Sequence, residues 1–215
     1  MTQPPTSTER LTPHRLFGLA DGVFAIAMTL LALEVRIPED VPGTADGFHE
    51  GFHDLATSYG IFLIAFYITG RFWLSNHRTL ARLHHVDAGV LNRAISFLAG
   101  ICSLPVMTSV LFRFADAPAA IVLSAGLLAA TALLSLRLWW YVSDPSRDLM
   151  DVPPDERRQW ALRSLYAVGV YLLAIPVAYL LPAVSDASSA WAPLVWLLLR
   201  LDGVVLKLVP LRQTR

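Results

Sequence analysis

The sequence predicts an all-α membrane protein with six transmembrane helices. Of its 215 residues, 55% are hydrophobic and only 16% are charged, whereas roughly a quarter are charged in an ordinary soluble domain. The charged residues are grouped between long apolar segments, which is the pattern of a membrane protein. The formal net charge is zero, so the charge balance gives no indication of nucleic acid as a partner.

Six apolar segments are long enough to cross a hydrocarbon core of roughly 30 Å. They run over residues 15–36, 55–73, 88–112, 119–141, 162–181 and 190–209. The sixth is the least regular, because Arg200, Asp202 and Lys207 interrupt it. We therefore expect one transmembrane domain over residues 1–215, with a flexible tail at 1–13, three helices in 14–114 and three more in 118–210.

The first segment is too long for the apolar core of a signal peptide and contains Asp21, so we expect it to be retained as a helix. Arginine residues predict how the helices are oriented. They precede the first segment and follow the second and the fourth, and they close the chain: Arg10, Arg15, Arg78, Arg82, Arg147, Arg157, Arg158, Arg212 and Arg215. This distribution predicts that both termini are cytoplasmic.

Polar residues at the cytoplasmic end of the first two helices suggest a structural network. Arg15 and Asp21 are six residues apart, so they lie on different sides of the first helix and need partners on other helices. Trp73, Asn76 and His77 lie at the same membrane depth, and their N–H groups are suitable donors to the Asp21 carboxylate. The alternative is that these are unrelated interfacial residues that reach toward water.

Other residues do not form a recognisable catalytic or metal site. His77, His84, His85 and Asp87 match no established metal-ligand spacing, so we expect a solvated loop and no metal site. The only cysteine, Cys102, lies in an apolar segment and is expected to be a small buried residue. No nucleophile elbow or glycine loop marks a catalytic site, so we expect no enzyme activity and no cofactor.

One face of the first helix carries a stripe of four residues at helical spacing, which are Ile26, Thr29, Leu30 and Leu33. Small residues on its other sides could allow close approach of neighbouring helices: Ala20, Gly22, Ala25, Ala27 and Ala32. The stripe is then available for a role other than packing within the subunit, although packing against a neighbouring helix is the ordinary role of such a face.

Residues 15–35 resemble the first helix of the transmembrane-protein-175 family of potassium channels. The family pattern is Arg, three residues, Phe-Ser-Asp and Gly-Val-Phe-Ala-Ile, and this chain keeps Arg15, Asp21 and the residues 22–26. It has Leu19 and Ala20 where the family has Phe and Ser. The resemblance continues through the second and third segments, at residues that include Trp73, Asn76, His77, Asp87, Asn92 and Pro105.

The resemblance implies a homotetramer in a prokaryotic cell membrane, with the first helix of each subunit lining a central pore. Ile26 takes the position of the hydrophobic constriction, Leu30 and Leu33 form further apolar rings, and Thr29 is the hydroxyl layer linked to potassium preference. Glu34 lies about 80° from the stripe, where it could attract cations to the outer mouth or simply face solvent. The expected function is a potassium-preferring leak channel whose partners are the lipid bilayer, K⁺ and its own copies.

Two other classes remain open at this stage. A secondary transporter, proton-coupled through Asp21 and His77, would require spans broken by Gly or Pro, for which Pro105 and Pro176 are the candidates. The second of these other classes is a membrane-embedded enzyme or a purely structural subunit.

Overall fold

The computed structural model describes residues 13–35, 44–114, 116–184 and 189–203, and it has helices but no strand in these ranges. The predicted tail therefore lies outside the described residues, apart from Pro13. The main elements are α1 (Pro13–Leu33), α2 (Ala45–Leu80), α3 (Ala88–Cys102), α4 (Leu104–Arg113), α5 (Pro118–Val142), α6 (Pro154–Val184) and a C-terminal 3₁₀ helix (Ser189–Leu201).

Five helical segments are long and apolar enough to span a membrane, and they correspond to the first five predicted spans. They are Pro13–Leu33, Leu55–Leu80, Ala88–Arg113, Pro118–Val142 and Pro154–Ala183. The sixth predicted span is not among them. Its described part is the 13-residue 3₁₀ helix with Pro193 inside it, and its predicted continuation at 204–209 lies outside the described residues.

Helix α2 begins ten residues earlier than the sequence predicted. The Thr44 side chain caps it by accepting a hydrogen bond of 3.2 Å from the Gly47 N–H. Such a cap satisfies one of the free N–H groups of the first turn, so an acidic, glycine-containing segment can form a helix despite its polarity. The apolar membrane-spanning part of α2 still starts at Leu55.

The third span is formed by α3 and α4, which meet at Ser103. Pro105 lies buried in the first turn of α4. The chain is not unwound there, because the Ser103 N–H donates to the Gly100 carbonyl at 3.2 Å and the Met107 N–H donates to the Ser103 carbonyl at 3.1 Å. Pro176 lies inside the continuous α6. Pro105 therefore marks a short interruption of the third span without unwinding it, and Pro176 leaves α6 continuous.

Helix α5 is the centre of the packing and contacts α3, α4 and α6. It crosses α3 closely at Gly100, because a Cβ atom placed there would lie only 2.8 Å from Thr131 Oγ1. On the side toward α6, the rings of Trp139 and Trp160 stack with their centroids 4.4 Å apart. Small residues at one crossing and stacked aromatic rings at the other thus fix α5 between its neighbours.

The loops at the arginine-rich end tie the helices together. Arg82, just after α2, forms an ion pair with Glu156 and donates to the Asp151 carbonyl at 3.1 Å. Asp87 caps α3 by accepting from the Val90 N–H at 2.7 Å, and it accepts from the Tyr141 hydroxyl at 2.9 Å. These contacts bring the ends of α2, α3, α5 and α6 to one level.

Candidate functional site

Helix α1 has one buried and one exposed face. It packs against α2, α3 and α4 through residues spaced three or four apart, which are Leu16, Ala20, Phe24, Ala27 and Leu31. The large side chains decide the rotation of the helix because they bury the most apolar area. Phe24, for example, lies 6.1 Å from the Phe97 ring, centroid to centroid.

The predicted apolar stripe lies on the exposed face of the subunit. The exposed fractions are 62% for Ile26, 42% for Leu30 and 65% for Leu33, and Thr29 is also exposed. Exposed apolar residues at regular helical spacing form a surface that lipid or another subunit can cover. The stripe is therefore not the contact surface of α1 with its own subunit.

The expectation for the small residues of α1 was only partly right. Ala20 and Ala27 are buried, but Gly22, Ala25 and Ala32 are exposed beside the stripe. Burial of Phe24 and the other large residues turns these three small residues outward. They lie where another copy of α1, rather than a helix of the same subunit, could approach closely.

The Thr29 hydroxyl is oriented by the backbone of its own helix. Its oxygen lies 3.0 Å from the Ala25 carbonyl and 2.8 Å from the Ile26 carbonyl, to which the hydroxyl proton is donated. A hydroxyl group has one proton and two lone pairs. Because the proton is used by the backbone, the lone pairs of this exposed oxygen remain available as acceptors.

Asp21 and Trp73 are brought together by the packing of α1 on α2. The Trp73 indole N–H donates to the Asp21 Oδ1 at 2.9 Å. His77 lies one turn further along α2, with its ring centroid 5.3 Å from that of Trp73 and 5.6 Å from that of Phe17. These contacts link α1 and α2 near the N-terminal end of α1.

The structure places the other two residues of the predicted network differently. Asn76 is buried, but no hydrogen bond to Asp21 is found within the described chain. Arg15 is exposed and makes no side-chain hydrogen bond or ion pair to another described residue. Glu34 is half-buried just beyond the last residue of α1, one residue after Leu33 of the stripe.

The histidines of the loop after α2 do not gather into a metal site. No group of three or more His, Cys, Asp or Glu residues that could hold a metal ion occurs in the described ranges. Asp87 is instead a helix cap. Partial burial opposes ionisation of its carboxyl group, but hydrogen bonds from the Val90 N–H and the Tyr141 hydroxyl, together with the charge of Arg147, outweigh this effect and lower the pKa of Asp87. Cys102, expected to be buried, is exposed at the end of α3.

Sequence reasoning missed an ion pair that joins two of the predicted apolar segments. Arg71 of α2 and Asp202, which follows the C-terminal 3₁₀ helix, are joined by an Nη2–Oδ2 contact of 2.7 Å. Each interrupts an apolar segment, and charged residues in such segments almost always pair with one another. That rule could have suggested the pair, although 131 sequence positions separate the two residues.

Comparison with known proteins agrees with this architecture. Residues 15–105 match the family model of the endosomal/lysosomal potassium channel TMEM175. A potassium channel of Streptomyces collinus is 29% identical over 77% of this chain and 82% of its own length. A potassium channel of Chamaesiphon minutus is 28% identical over 84% of this chain and 89% of its own length.

The fold has also been observed in a crystal structure. A lysosomal potassium-selective channel TMEM175 homologue from Chamaesiphon minutus superposes with a TM-score of 0.72 at 23% identity, over 90% of this chain and 97% of that one. At this identity the likeness shows the fold. The matched model begins at Arg15 and includes the stripe, the Asp21–Trp73 hydrogen bond and the Asp87 cap. Over residues 15–105 the chain is therefore similar to the TMEM175 family.

Proposed function

We propose that this protein is a potassium-preferring leak channel, in which α1 of each subunit in a homotetramer lines a central pore. The observation that carries the proposal is the outward position of the Ile26, Thr29, Leu30 and Leu33 stripe on a helix whose opposite face is buried. The names of the bacterial relatives support potassium as the permeant ion. The exposed Gly22 and Ala25 would let copies of α1 approach one another near the axis.

Ile26 would form the constriction. A ring of isoleucine side chains has no ligands to replace the water of an ion, so it controls passage by size and by exclusion of water. At about 1.5 Å of rise per residue, Leu30 and Leu33 would form further apolar rings about 6 and 10 Å beyond Ile26. Potassium is favoured there because it sheds its water more readily than sodium.

Thr29 would add the polar layer next to this constriction. With its proton held by the backbone, its hydroxyl oxygen acts as an acceptor and can replace part of the hydration shell of an ion. Glu34 would raise the cation concentration at the outer mouth. The Asp21–Trp73 hydrogen bond would hold α1 at a fixed rotation, so that the stripe keeps facing the axis.

The membrane orientation follows from the same proposal. The N-terminal end of α1 and the loops after α2 and α5 lie at the arginine-rich end, which would be cytoplasmic in a multi-pass cell-membrane protein. Both termini are then on the cytoplasmic side, and the far end of α1, near Glu34, opens to the outside.

Potassium flux into liposomes tests the proposal with a matched pair of variants. Ile26→Ala should increase the flux, because each subunit then loses most of a side chain at the narrowest point. Leu123→Ala on α5 is the control, since Leu123 is 59% exposed, close to the 62% of Ile26, but lies on a different helix. This control should leave the flux unchanged.

Three results would contradict the proposal. If Ile26→Ala and Leu123→Ala gave the same flux as the parent protein, Ile26 would not be at the constriction. If the flux of the parent saturated and were coupled to proton movement, a transporter that uses Asp21 and His77 would be the better explanation. A density map of the assembly that places α1 away from the symmetry axis would also contradict the proposal, because α1 could then not line the pore.

A further inference from the structure

A basic cleft opens on the surface of the subunit between α3 and the C-terminal end of α5. It has a volume of about 480 Å³ and is lined by three arginines, two leucines, two aromatic residues and one aspartate: Arg93, Leu133, Leu136, Arg137, Trp140, Tyr141, Asp144 and Arg147. Three guanidinium groups face one carboxylate in this lining, in a chain whose formal net charge is zero. The cleft is thus a local concentration of positive charge.

Tyr141 holds two of the arginines in place. The guanidinium carbon of Arg93 is 3.7 Å from the centre of the Tyr141 ring, and that of Arg147 is 4.0 Å from the same point. The hydroxyl group of the ring donates to Asp87, which fixes its position. Both guanidinium carbons lie within 4.0 Å of the same ring centre, so these like charges are less than 8 Å apart and repel, and an anion in the cleft would relieve this repulsion.

The negative groups near the cleft are already engaged by the protein. Asp144 accepts from the Ser146 N–H at 3.1 Å and contacts the Arg147 Nε at 3.5 Å. Asp87 is occupied by the α3 cap and by Tyr141. Arg137, by contrast, is exposed and has no hydrogen bond or ion pair with any residue that the structure describes. Its donors are available to a bound ligand.

The depth of the cleft corresponds to the boundary between headgroups and hydrocarbon. Arg93 lies five residues after the start of α3 and Arg137 lies five residues before the end of α5, which places both about 7.5 Å inside the helix ends. Helix α5 has 25 residues and is therefore about 37 Å long, about 7 Å longer than the hydrocarbon core. The Cα atoms of the two arginines thus lie at or a few ångström inside the edge of the hydrocarbon core, and their long side chains can extend from there to the lipid phosphates.

The ligand must also have an apolar part. Leu133 is 47% exposed and lies one helical turn deeper in the membrane than Arg137, about 6 Å further along α5. A small polar anion would leave the exposed Leu133 side chain uncovered, whereas an acyl chain would cover it. Basic pockets between transmembrane helices on the cytoplasmic side are suited to lipid headgroups.

We propose that this cleft binds an anionic phospholipid, with the phosphate at Arg93, Arg137 and Arg147 and an acyl chain along Leu133. The bound lipid neutralises the paired guanidinium groups and bridges α3 and α5. Trp140, exposed at the same end, contributes an interfacial ring. The site is on the outer surface of the subunit and does not depend on the proposed pore.

Thermal unfolding of the full-length protein in detergent, titrated with phosphatidylglycerol, tests this site. Phosphatidylglycerol should raise the unfolding midpoint of the parent protein, and phosphatidylcholine and inorganic phosphate at the same concentrations should not. Arg137→Gln should increase the phosphatidylglycerol concentration needed for half of the shift by about tenfold, the loss expected from one charge-assisted hydrogen bond. Arg158→Gln is the matched control, since Arg158 is also exposed at this end but lies outside the cleft.

The possible results separate the lipid site from its alternatives. Equal loss in Arg137→Gln and Arg158→Gln would show only general surface attraction and would overturn the proposal. The same shift with inorganic phosphate would assign the cleft to a soluble anion. The same shift with phosphatidylcholine would show that binding does not require a negatively charged headgroup, and this would also overturn the proposal. If Arg137→Gln does not fold, Leu133→Gln provides the second test, because it should weaken the lipid effect while leaving the arginines intact.

Discussion

The close crossing of α3 and α5 gives a quantitative prediction for Gly100→Ala. The added Cβ atom would lie 2.8 Å from Thr131 Oγ1, 3.1 Å from Cγ2 and 3.3 Å from Cβ. Thr131 cannot move away easily, because it is fully buried and its hydroxyl donates to the Leu127 carbonyl at 2.8 Å. Overpacking of this kind typically costs about 1–3 kcal/mol.

A control glycine isolates this packing term. Gly126 lies on α5 with no atom within 4 Å of an added Cβ, so Gly126→Ala should gain only helix propensity, about 1 kcal/mol. Gly100→Ala should gain the same amount and lose the packing term, which leaves it about 1–3 kcal/mol less stable than Gly126→Ala. In a protein of this size each kcal/mol corresponds to roughly 2–4 °C in the unfolding midpoint.

The assay is thermal unfolding of the purified variants in the same detergent. The double variant Gly100→Ala/Thr131→Ala should be more stable than the sum of its single changes, because the second change removes the two closest atoms. Equal midpoints for Gly100→Ala and Gly126→Ala would refute the close crossing. The destabilisation caused by Gly100→Ala should also reach α1, since α3 supports α1 through the contact between Phe97 and Phe24.

Three further predictions concern polar residues. Thr29→Val should lower the potassium-to-sodium permeability ratio and Thr29→Ser should retain it, and equal reversal potentials in Thr29→Val and the parent would contradict the role. Asp21→Asn weakens the acceptor for Trp73 and should impair tetramer assembly, measured by size-exclusion chromatography, more than selectivity; a stable tetramer with altered selectivity would reverse that assignment. Asp87→Ala should cost about 1 kcal/mol in unfolding free energy through the lost cap, whereas Asp87→Asn keeps the cap. Because the pKa of Asp87 is lowered in the fold, its ionised form contributes stability at neutral pH, and the advantage over Asp87→Asn should disappear as the pH falls below about 4.

The sequence alone located the five segments that can span a membrane and the candidate pore face, although it also predicted a sixth span that is not among those segments. Apolar segments of about 20 residues can only be accommodated in a membrane as helices, because every backbone polar group must be satisfied within the segment. The spacing of Ile26, Thr29, Leu30 and Leu33 places them on one side of a helix whatever that helix contacts. The family resemblance came from short stretches of residues in the first three segments, so it also required no tertiary information.

The sequence could not give the rotation of α1 or the start of α2. Alanine and glycine residues occur on several sides of α1, and only the packing of Phe24 and its neighbours showed which of them face the subunit. The start of α2 was missed because a local cap at Thr44, rather than hydropathy, begins that helix. A hydropathy pattern measures burial in lipid and contains no information about hydrogen bonds at helix ends.

The amino-acid order by itself thus predicted the five segments that are long and apolar enough to span a membrane, and which side chains share the face of α1 that we assign to the pore. The tertiary structure decided which polar groups meet: it selected Trp73 among the three donors suggested for Asp21, and it paired Asp87 with Tyr141 and Arg71 with Asp202, at separations of 52, 54 and 131 positions. The physical reason is that helix periodicity is a local property of a few consecutive residues. The partner of a charged group depends instead on which distant helix packs beside it, and that is fixed only when all the helices are packed together.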